Sequence, residues 1–183
     1  MEKKKLGLPK VLGSKVVFKT RNLSVVETKV KFPKGKTRHY TLVFPEAVIA
    51  IVLDKKKNIY LAKEWKAGWN RVFYKLPGGA VVGKGEKASE KAIKKEILEE
   101  LGIEAGKLTK LLYVADDVWV VHHFTIYLAE NLVMKKQKLE RFEHIRVVKM
   151  PFKKAFERFV KNNSGMTSES VLGLLFAKEK LKL

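Results

Sequence analysis

Residues 75–103 read KLPGGAVVGKGEKASEKAIKKEILEELGI, and the segment EILEE at 96–100 places three glutamates within five residues. The chain as a whole has 39 Lys and Arg residues against 19 Asp and Glu residues, for a formal net charge of +20. An acidic cluster is therefore unexpected for this composition, and it raises the question of why three carboxylates lie so close together.

A helix is predicted from Lys87 to Leu101. Gly102 stands where a left-handed C-terminal cap is common. Apolar residues recur at helical spacing of three to four along this segment, at Ala92, Ile93, Ile97 and Leu101. This periodicity makes the segment the best-defined helix that the sequence predicts.

Glu96, Glu99 and Glu100 share one face of this helix, within an arc of roughly 100° when each residue advances about 100°. Their charges repel one another at that spacing, and a divalent cation among them removes the cost. Carboxylate oxygens suit Mg²⁺ or Mn²⁺, hard ions that also accept phosphate oxygens as ligands. The alternative is an ordinary amphipathic helix whose glutamates face solvent.

A glycine-rich loop precedes the helix and favours the metal interpretation. The segment LPGG at 76–79 ends a strand-like stretch, and GKGE at 83–86 leads into the helix. Glycines allow a backbone to approach a ligand or metal closely.

The remainder of the chain predicts an α+β domain. Residues 11 to about 63 alternate apolar runs with turn signals, including Phe32 to Gly35 and Asp54 to Asn58, and predict consecutive antiparallel strands. Strands are predicted again at KLLYVAD (110–116), WVVHHFTIYLA (119–129) and HIRVVKM (144–150). Two helical stretches follow at about 151–161 and 167–181, separated by the turn signal at 162–165.

The composition limits the class of protein. With 183 residues and 46% hydrophobic content, the chain can form one ordinary domain with a substantial core. The absence of Cys excludes disulfides, Cys-ligated zinc and a thiol nucleophile, and it suits a reducing cytoplasm. The start of the chain lacks the apolar stretch of a secretory signal, so we expect a cytoplasmic protein. The Lys-rich composition also suggests a thermophilic source.

The quoted stretch resembles the signature of the Nudix hydrolases, G-x5-E-x7-R-E-U-x-E-E-x-G-U, where U is aliphatic. The second half matches from Glu96 to Ile103, and Lys95 stands at the position of the arginine. In the first half, the spacings from Gly79 to Glu86 and from Glu86 to Lys95 are each one residue longer than the pattern.

The resemblance extends to the ADP-ribose pyrophosphatase subgroup over roughly residues 15–181. It rests on KFPKGKTRHYTLVFPEAVIAIVL upstream, LAKEWK at 61–66, and FEHIRVVKMPFKKAFE and SGMTSESVLGLLFAKEKL downstream. It implies an α/β/α sandwich at 46–183 with a mixed sheet, and an N-terminal antiparallel β extension at 1–45 that contributes to dimerisation and substrate contacts. A homodimer is the implied assembly.

The implied activity is Mg²⁺- or Mn²⁺-dependent hydrolysis of the diphosphate bond of ADP-ribose, giving AMP and ribose 5-phosphate. The resemblance assigns the metal ligands to Glu96, Glu99, Glu100 and the backbone carbonyl of Gly78. It assigns Lys95 to holding a glutamate in position.

Further site residues follow from the same resemblance. A base or an additional metal ligand is expected from the loop before the last strand, where Glu143 fits best and Glu140 is the alternative. Arg38 and Lys66 are expected to bind phosphate or ribose. Trp65 and Trp119 are candidates for stacking on a base, with core or interface packing as the alternative. For Glu143, Arg38 and Lys66, the alternative is an ordinary solvated side chain.

Two other functions are compatible with the sequence. The same metal helix serves hydrolysis of a nucleoside triphosphate, a dinucleoside polyphosphate or another sugar nucleotide. The high positive charge also suits a non-catalytic protein that binds nucleic acid or ADP-ribose. The Lys residues are spread over the whole chain, however, and the acidic cluster is intact, which favours the enzyme.

Overall fold

The computed structural model describes residues 8–115, 119–162 and 165–183. These form two compact units: the first contains residues up to 46 and 115–123, and the second contains 47–114 and 124–183. The predicted extension therefore begins within residues that lie outside the described part, at 1–7, and so do Asn163 and Ser164 of the predicted break between the last helices.

The first unit is a sheet with the strand order β1-β2-β3-β9. Its strands are β1 (Lys10–Lys19), β2 (Ser24–Phe32), β3 (Gly35–Val43) and β9 (Val120–Val121). β2 and β3 form an antiparallel hairpin in which Phe32 pairs with Gly35, which confirms the predicted turn. β9 adds to β3 in parallel, so a short segment from the middle of the chain completes this sheet.

The second unit is built on a mixed sheet with the order β11-β5-β4-β10-β8. Its strands are β4 (Ala47–Leu53), β5 (Asn58–Lys66), β8 (Ile103–Val114), β10 (Phe124–Met134) and β11 (Ile145–Pro151). β10 runs parallel to β4 and antiparallel to β8. Two shorter strands join the sheet: β6 (Arg71–Lys75) pairs with β5, and β7 (Gly78–Ala80) pairs with β4. A 3-10 helix spans Ala67–Trp69.

Helices cover both faces of this sheet. On one face, Val48, Ala50 and Val52 of β4 share a buried cluster with Ile93 and Ile97 of α1 (Glu86–Leu101). On the other face, the alternate β4 residues Ile51 and Leu53 pack with α2 (Phe152–Phe156) and α3 (Ser168–Lys180); the helix residues in this cluster include Phe152, Phe156 and Leu174. Because neighbouring strand residues point to opposite faces, one apolar run supplies both cores. The predicted α/β/α sandwich with a mixed sheet is confirmed.

The helix boundaries follow local signals. α1 begins one residue before the predicted start and ends at Leu101, where Gly102 adopts φ 63° and its N–H donates to the carbonyl of Leu98. A Cβ at Gly102 would also lie 2.8 Å from the carbonyl oxygen of Lys135, so a side chain is excluded on two grounds. α2 continues as a π-helical segment at Glu157–Lys161, within the predicted range 151–161.

Among the described residues, no helix combines the length and apolar character that crossing a membrane requires.

Candidate active site

The three glutamates of α1 lie at the margin of the buried face of the helix. Glu100 follows the core position Ile97 by three residues and is itself only 2% exposed, while Glu96 and Glu99 are half-buried. A carboxylate buried to this extent is costly unless it is paired. Residue 100 therefore carries a charge at a position that apolar side chains would ordinarily fill.

Glu100 is paired with a lysine from the sheet. The Nζ of Lys75, the last residue of β6, lies 2.5 Å from Oε1 of Glu100 and 3.2 Å from Oε2 of Glu64. Lys66 is the last member of this chain of ion pairs, and its Nζ lies 2.8 Å from Oε1 of Glu64. Two carboxylates and two ammonium groups thus alternate from α1 across β6 to β5. Oε2 of Glu100 is buried and has no hydrogen-bond partner.

Burial governs the ionisation of this site. Burial raises the pKa of Glu100 to about 7, although Lys75 acts in the opposite direction. Burial also raises the pKa of Glu96, assisted by the negative charge of Glu99 and opposed by Lys95. For Lys75, the attraction of Glu100 and Glu64 outweighs burial and raises its pKa. Both shifted glutamates therefore lack enough positive charge around them, and an added cation would favour their ionised forms.

Lys95 lies beside one of the three glutamates of α1. Its Nζ is 2.6 Å from Oε2 of Glu99, one helical turn along α1. This hydrogen bond is the main cause of the raised pKa of Lys95. Both groups are partly exposed, so the pair orients Glu99 more than it stabilises the fold.

The glycine-rich loop brings backbone against α1. Gly78 and Gly79 belong to β7 and pair with Ile49 and Val48 of β4. A Cβ on Gly79 would lie 2.5 Å from Oε1 of Glu96, so the absence of a side chain is what lets this carboxylate approach the strand. The loop therefore places main-chain polar groups next to the acidic face of the helix.

The loop before β11 is tied to the C-terminal end of α1. Gln137, the only Gln in the chain, donates through Nε2 to the carbonyl of Glu100 at 2.5 Å, and the N–H of Lys138 donates to the carbonyl of Glu99 at 3.1 Å. Oε2 of Glu143 accepts the backbone N–H of Glu140 at 2.9 Å. The negative charge of Glu143 contributes to the raised pKa of Glu96, whereas Glu140 acts on Lys95. Glu143 thus lies within electrostatic range of the carboxylate face.

The predicted substrate-binding residues of β5 lie on opposite faces of the sheet. Lys66 shares the α1 side with Glu64, whereas Trp65 lines a cavity of about 220 Å³ on the other side. The other residues around that cavity are Lys63, Val72, His144 and Arg146. Because side chains alternate along a strand, Trp65 and Lys66 point to opposite faces, although the resemblance implied that both contact the substrate.

Arg38 and Trp119 belong to the first unit. The guanidinium of Arg38 lies 3.6 Å from Oε2 of the buried Glu27, which also accepts a hydrogen bond from the hydroxyl of Tyr40 at 3.1 Å. Trp119 is exposed, and its carbonyl accepts the N–H of Leu42 at 3.1 Å.

The carboxylate set fits a divalent ion without forming a finished coordination sphere. Within the described residues, no group of three or more His, Asp or Glu side chains is arranged as a metal site. Lysines instead occupy one oxygen each of Glu99 and Glu100. The unpartnered Oε2 of Glu100, the raised pKa of Glu96 and the close approach at Gly79 are the features that suit a hard cation.

Sequence reasoning missed Lys75, Glu64 and Gln137. Alternation along β5 would have placed Glu64 on the same face as Lys66. For Lys75 and Gln137 the sequence contains no local signal, since both act on a helix residue that is distant along the chain.

Comparisons with known proteins agree with this architecture. The NUDIX domain profile matches residues 43–169, well over half of the chain. No curated protein matches the chain in sequence. Among solved structures, the chain is similar to the crystal structure of an ADP compounds hydrolase, with a TM-score of 0.80 and 22% sequence identity over 98% of this chain and 97% of that chain. At this level of identity, the structural likeness shows a shared fold.

Proposed function

The chain belongs to the NUDIX domain family, and we propose that this Nudix hydrolase cuts the diphosphate bond of ADP-ribose or a related nucleoside diphosphate derivative. The products from ADP-ribose would be AMP and ribose 5-phosphate. The family membership confirms the prediction made from the signature at 79–103. The substrate is supported by the resemblance of the flanking segments, and by the similarity in fold to a protein described as an ADP compounds hydrolase.

The observation that carries the proposal is the buried, unpartnered oxygen of Glu100, on the same helix as Glu96, whose carboxylate lies against the glycine-rich strand. A lone acceptor at 2% exposure costs free energy in an ordinary helix. Glu100 shares the helix with two further glutamates. Carboxylate oxygens that can bind a hard cation are therefore available at the glutamate positions of the family signature.

Nudix hydrolases generally use divalent metal ions, and we assign the ligands here to Glu96, Glu99, Glu100 and the carbonyl of Gly78. When bound, Mg²⁺ or Mn²⁺ supplies positive charge to the diphosphate oxygens. Lys95 holds Glu99 through its hydrogen bond. The close packing of Gly79 against Glu96 keeps that carboxylate at the strand.

Glu143 is the residue that we propose as a base toward the attacking water, or as an additional metal ligand. Its charge already influences Glu96. Glu140 is the alternative, but its carboxylate acts on Lys95. The hydrogen bonds of Gln137 and Lys138 to the end of α1 hold the loop that contains both residues.

Lys66 is proposed to bind a phosphate, because it lies on the α1 side of β5 and is partly exposed. Arg38 remains proposed for phosphate or ribose, and Trp65 for base stacking, on the resemblance alone. Trp65 faces away from Lys66 and is half-exposed, which leaves interface packing as the alternative for this residue. A homodimer that uses residues 1–45 for dimerisation and substrate contacts completes the proposal.

The test is a hydrolysis panel with the purified chain in Mg²⁺, in Mn²⁺ and in EDTA. The substrates are ADP-ribose, NADH, diadenosine polyphosphates, GDP-sugars and 8-oxo-dGTP, with products identified by chromatography. We expect ADP-ribose to be hydrolysed faster than the other substrates and to give AMP and ribose 5-phosphate. In EDTA we expect no hydrolysis. Comparable turnover of several unrelated dinucleotides would defeat the assignment to ADP-ribose. No turnover of any substrate in either metal would favour the non-catalytic alternative.

A further inference from the structure

Lys75 is an unusual residue for its position. Its side chain is 15% exposed, whereas lysines are almost never buried without a partner. It ends β6, immediately before Leu76 and the glycine-rich segment. Both of its described ion-pair partners are carboxylates, Glu100 on α1 and Glu64 on β5.

The two contacts of Lys75 are not equivalent. Glu64 is held by a second ammonium group, that of Lys66, so it does not depend on Lys75 alone. Glu100, by contrast, has a single described ion-pair partner, and the contact at 2.5 Å is the shorter one. Removal of the ammonium group would therefore leave Glu100 as the uncompensated charge.

The contact of Lys75 also distinguishes the two oxygens of Glu100. Oε1 accepts the hydrogen bond from Lys75, and Oε2 is buried without a partner. The ammonium of Lys75 is anchored by its own strand, β6, and by Glu64 of β5, so it fixes the rotation of the Glu100 carboxylate and gives the free oxygen a defined direction. The i,i+4 partner of Glu99, Lys95, is more exposed and belongs to the same helix, so it gives weaker orientation.

We infer that Lys75 is a positioning residue for the divalent ion: its ammonium holds Oε1 of Glu100, so that Oε2 is the oxygen presented to the ion. Lys75 also offsets part of the cost of burying Glu100 when the ion is absent, because its ammonium is the described ion-pair partner of that carboxylate. This inference rests on the proposed function, since it assumes an ion at the carboxylates of α1.

The first test measures Mn²⁺ binding to the purified full-length chain without nucleotide, by electron paramagnetic resonance of the free ion. The variants are K75M, K75R, E100Q and, as a matched control, K107M. Lys107 also pairs with a glutamate, Glu130, at 3.0 Å, but both side chains are exposed. We expect K75M to bind Mn²⁺ about 10–100-fold more weakly, the usual cost of losing a partner that orients a ligand. The affinity of K75R for Mn²⁺ should lie between those of K75M and the wild type. The affinity of K107M should equal that of the wild type.

The second test is a double-mutant cycle on thermal unfolding in EDTA, with K75M, E100Q and K75M/E100Q. We expect K75M to lower the melting temperature more than K107M does, because it leaves Glu100 uncompensated. The double variant should have a higher melting temperature than K75M, because it also removes the unpaired negative charge of Glu100. Additive effects of the two substitutions would overturn the inference.

The outcomes separate the inference from the function on which it rests. If E100Q loses Mn²⁺ binding while K75M keeps wild-type affinity, the role of Lys75 is wrong and the metal site stands. If the wild type binds no Mn²⁺, or E100Q binds as well as the wild type, both the metal site and the inference fall. If K75M does not fold, a folded K75M/E100Q supports the pairing, and an unfolded one overturns it.

Discussion

The two units of this chain are both built on sheets, yet they differ sharply in what their strands bury. Among the described residues of the first unit, only Glu27 and Val30 are buried, and all ten residues of β1 are exposed. In the second unit, β4 alone contributes four fully buried apolar residues, with helices on both faces.

This contrast indicates where the stability and the chemistry of the protein reside. A sheet without a covering layer gains little from the hydrophobic effect, and it exposes apolar side chains such as Val16 and Phe18. The covered sheet can instead support the cost of burying Glu100 and Lys75. We therefore propose that the second unit holds the reaction site rigidly, and that the first unit provides surfaces for a second copy of the chain and for substrate.

The largest effect is expected at Glu100, because the second unit buries it as a proposed metal ligand. We expect E100Q to lower kcat/KM by at least about a thousandfold, which corresponds to the loss of several kcal/mol of charge stabilisation. E90Q, on the same helix but outside the carboxylate face, is the control and should retain activity. Full activity in E100Q would show that Glu100 is not a metal ligand.

The difference in burial predicts a difference in stability. Ile97 is fully buried on the core-facing side of α1, and we expect I97A to lower the free energy of unfolding by about 2–5 kcal/mol. Val16 is 55% exposed on β1, and V16A should change it by less than about 0.5 kcal/mol. Urea unfolding followed by circular dichroism, at low protein concentration to minimise any dimer, measures both. Equal losses would show that the first unit is covered as well.

The pH dependence of stability tests the burial of Glu100 directly. Its pKa is raised from 4.5 to about 7, so between these values the folded state binds more protons than the unfolded state. Without metal, the contribution of Glu100 to stability is therefore lost as pH rises from about 4.5 to 7 and stays constant above, a change of about 3 kcal/mol. Urea unfolding in EDTA should show this decline in the wild type relative to E100Q. Parallel curves for the two proteins across this window would contradict it.

A smaller effect is expected at the glycine-rich strand. In G79A, the new Cβ would lie 2.5 Å from Oε1 of Glu96 and displace this carboxylate, so we expect kcat to fall about 10–100-fold. Gly68 has no atom within 4 Å of the equivalent Cβ position, which makes G68A the matched control. Steady-state kinetics with ADP-ribose distinguishes them. Equal activities would indicate that the position of Glu96 is not critical.

The smallest effect concerns the exposed sheet. If residues 1–45 form the dimer contact, F18D should raise the dimer dissociation constant by about tenfold, because it places a charge in an apolar interface. Val133 has similar exposure in the second unit, 52% against 55% for Phe18, and V133D serves as the control. Light scattering coupled to size-exclusion chromatography measures both. A dimer that V133D weakens and F18D does not would assign the interface to the other unit.

Local patterns predicted much of this molecule. The spacing of Ile93, Ile97 and Leu101 predicted α1 to within one residue, and the rotation of about 100° per helical residue predicted that Glu96, Glu99 and Glu100 share a face. The turn at Phe32 to Gly35 followed from its residues. Each of these features depends on neighbours within a few positions, where backbone geometry alone relates the side chains.

Contacts between distant residues were beyond such patterns. The sequence did not indicate that Lys75 would meet Glu100, because that contact depends on the pairing of β6 with β5 and on the packing of α1 against the sheet. The pairing of β9 with β3 likewise joins residues that are far apart along the chain.

By itself, the sequence determined the helix and the carboxylate face, because short-range periodicity encodes both, and its resemblance to a known signature indicated the family. Only the tertiary structure decided which carboxylate is buried, which lysine compensates it and which of its oxygens remains free. The reason is that burial and charge pairing are properties of the space between elements. That space exists only once the sheet and helices have packed together.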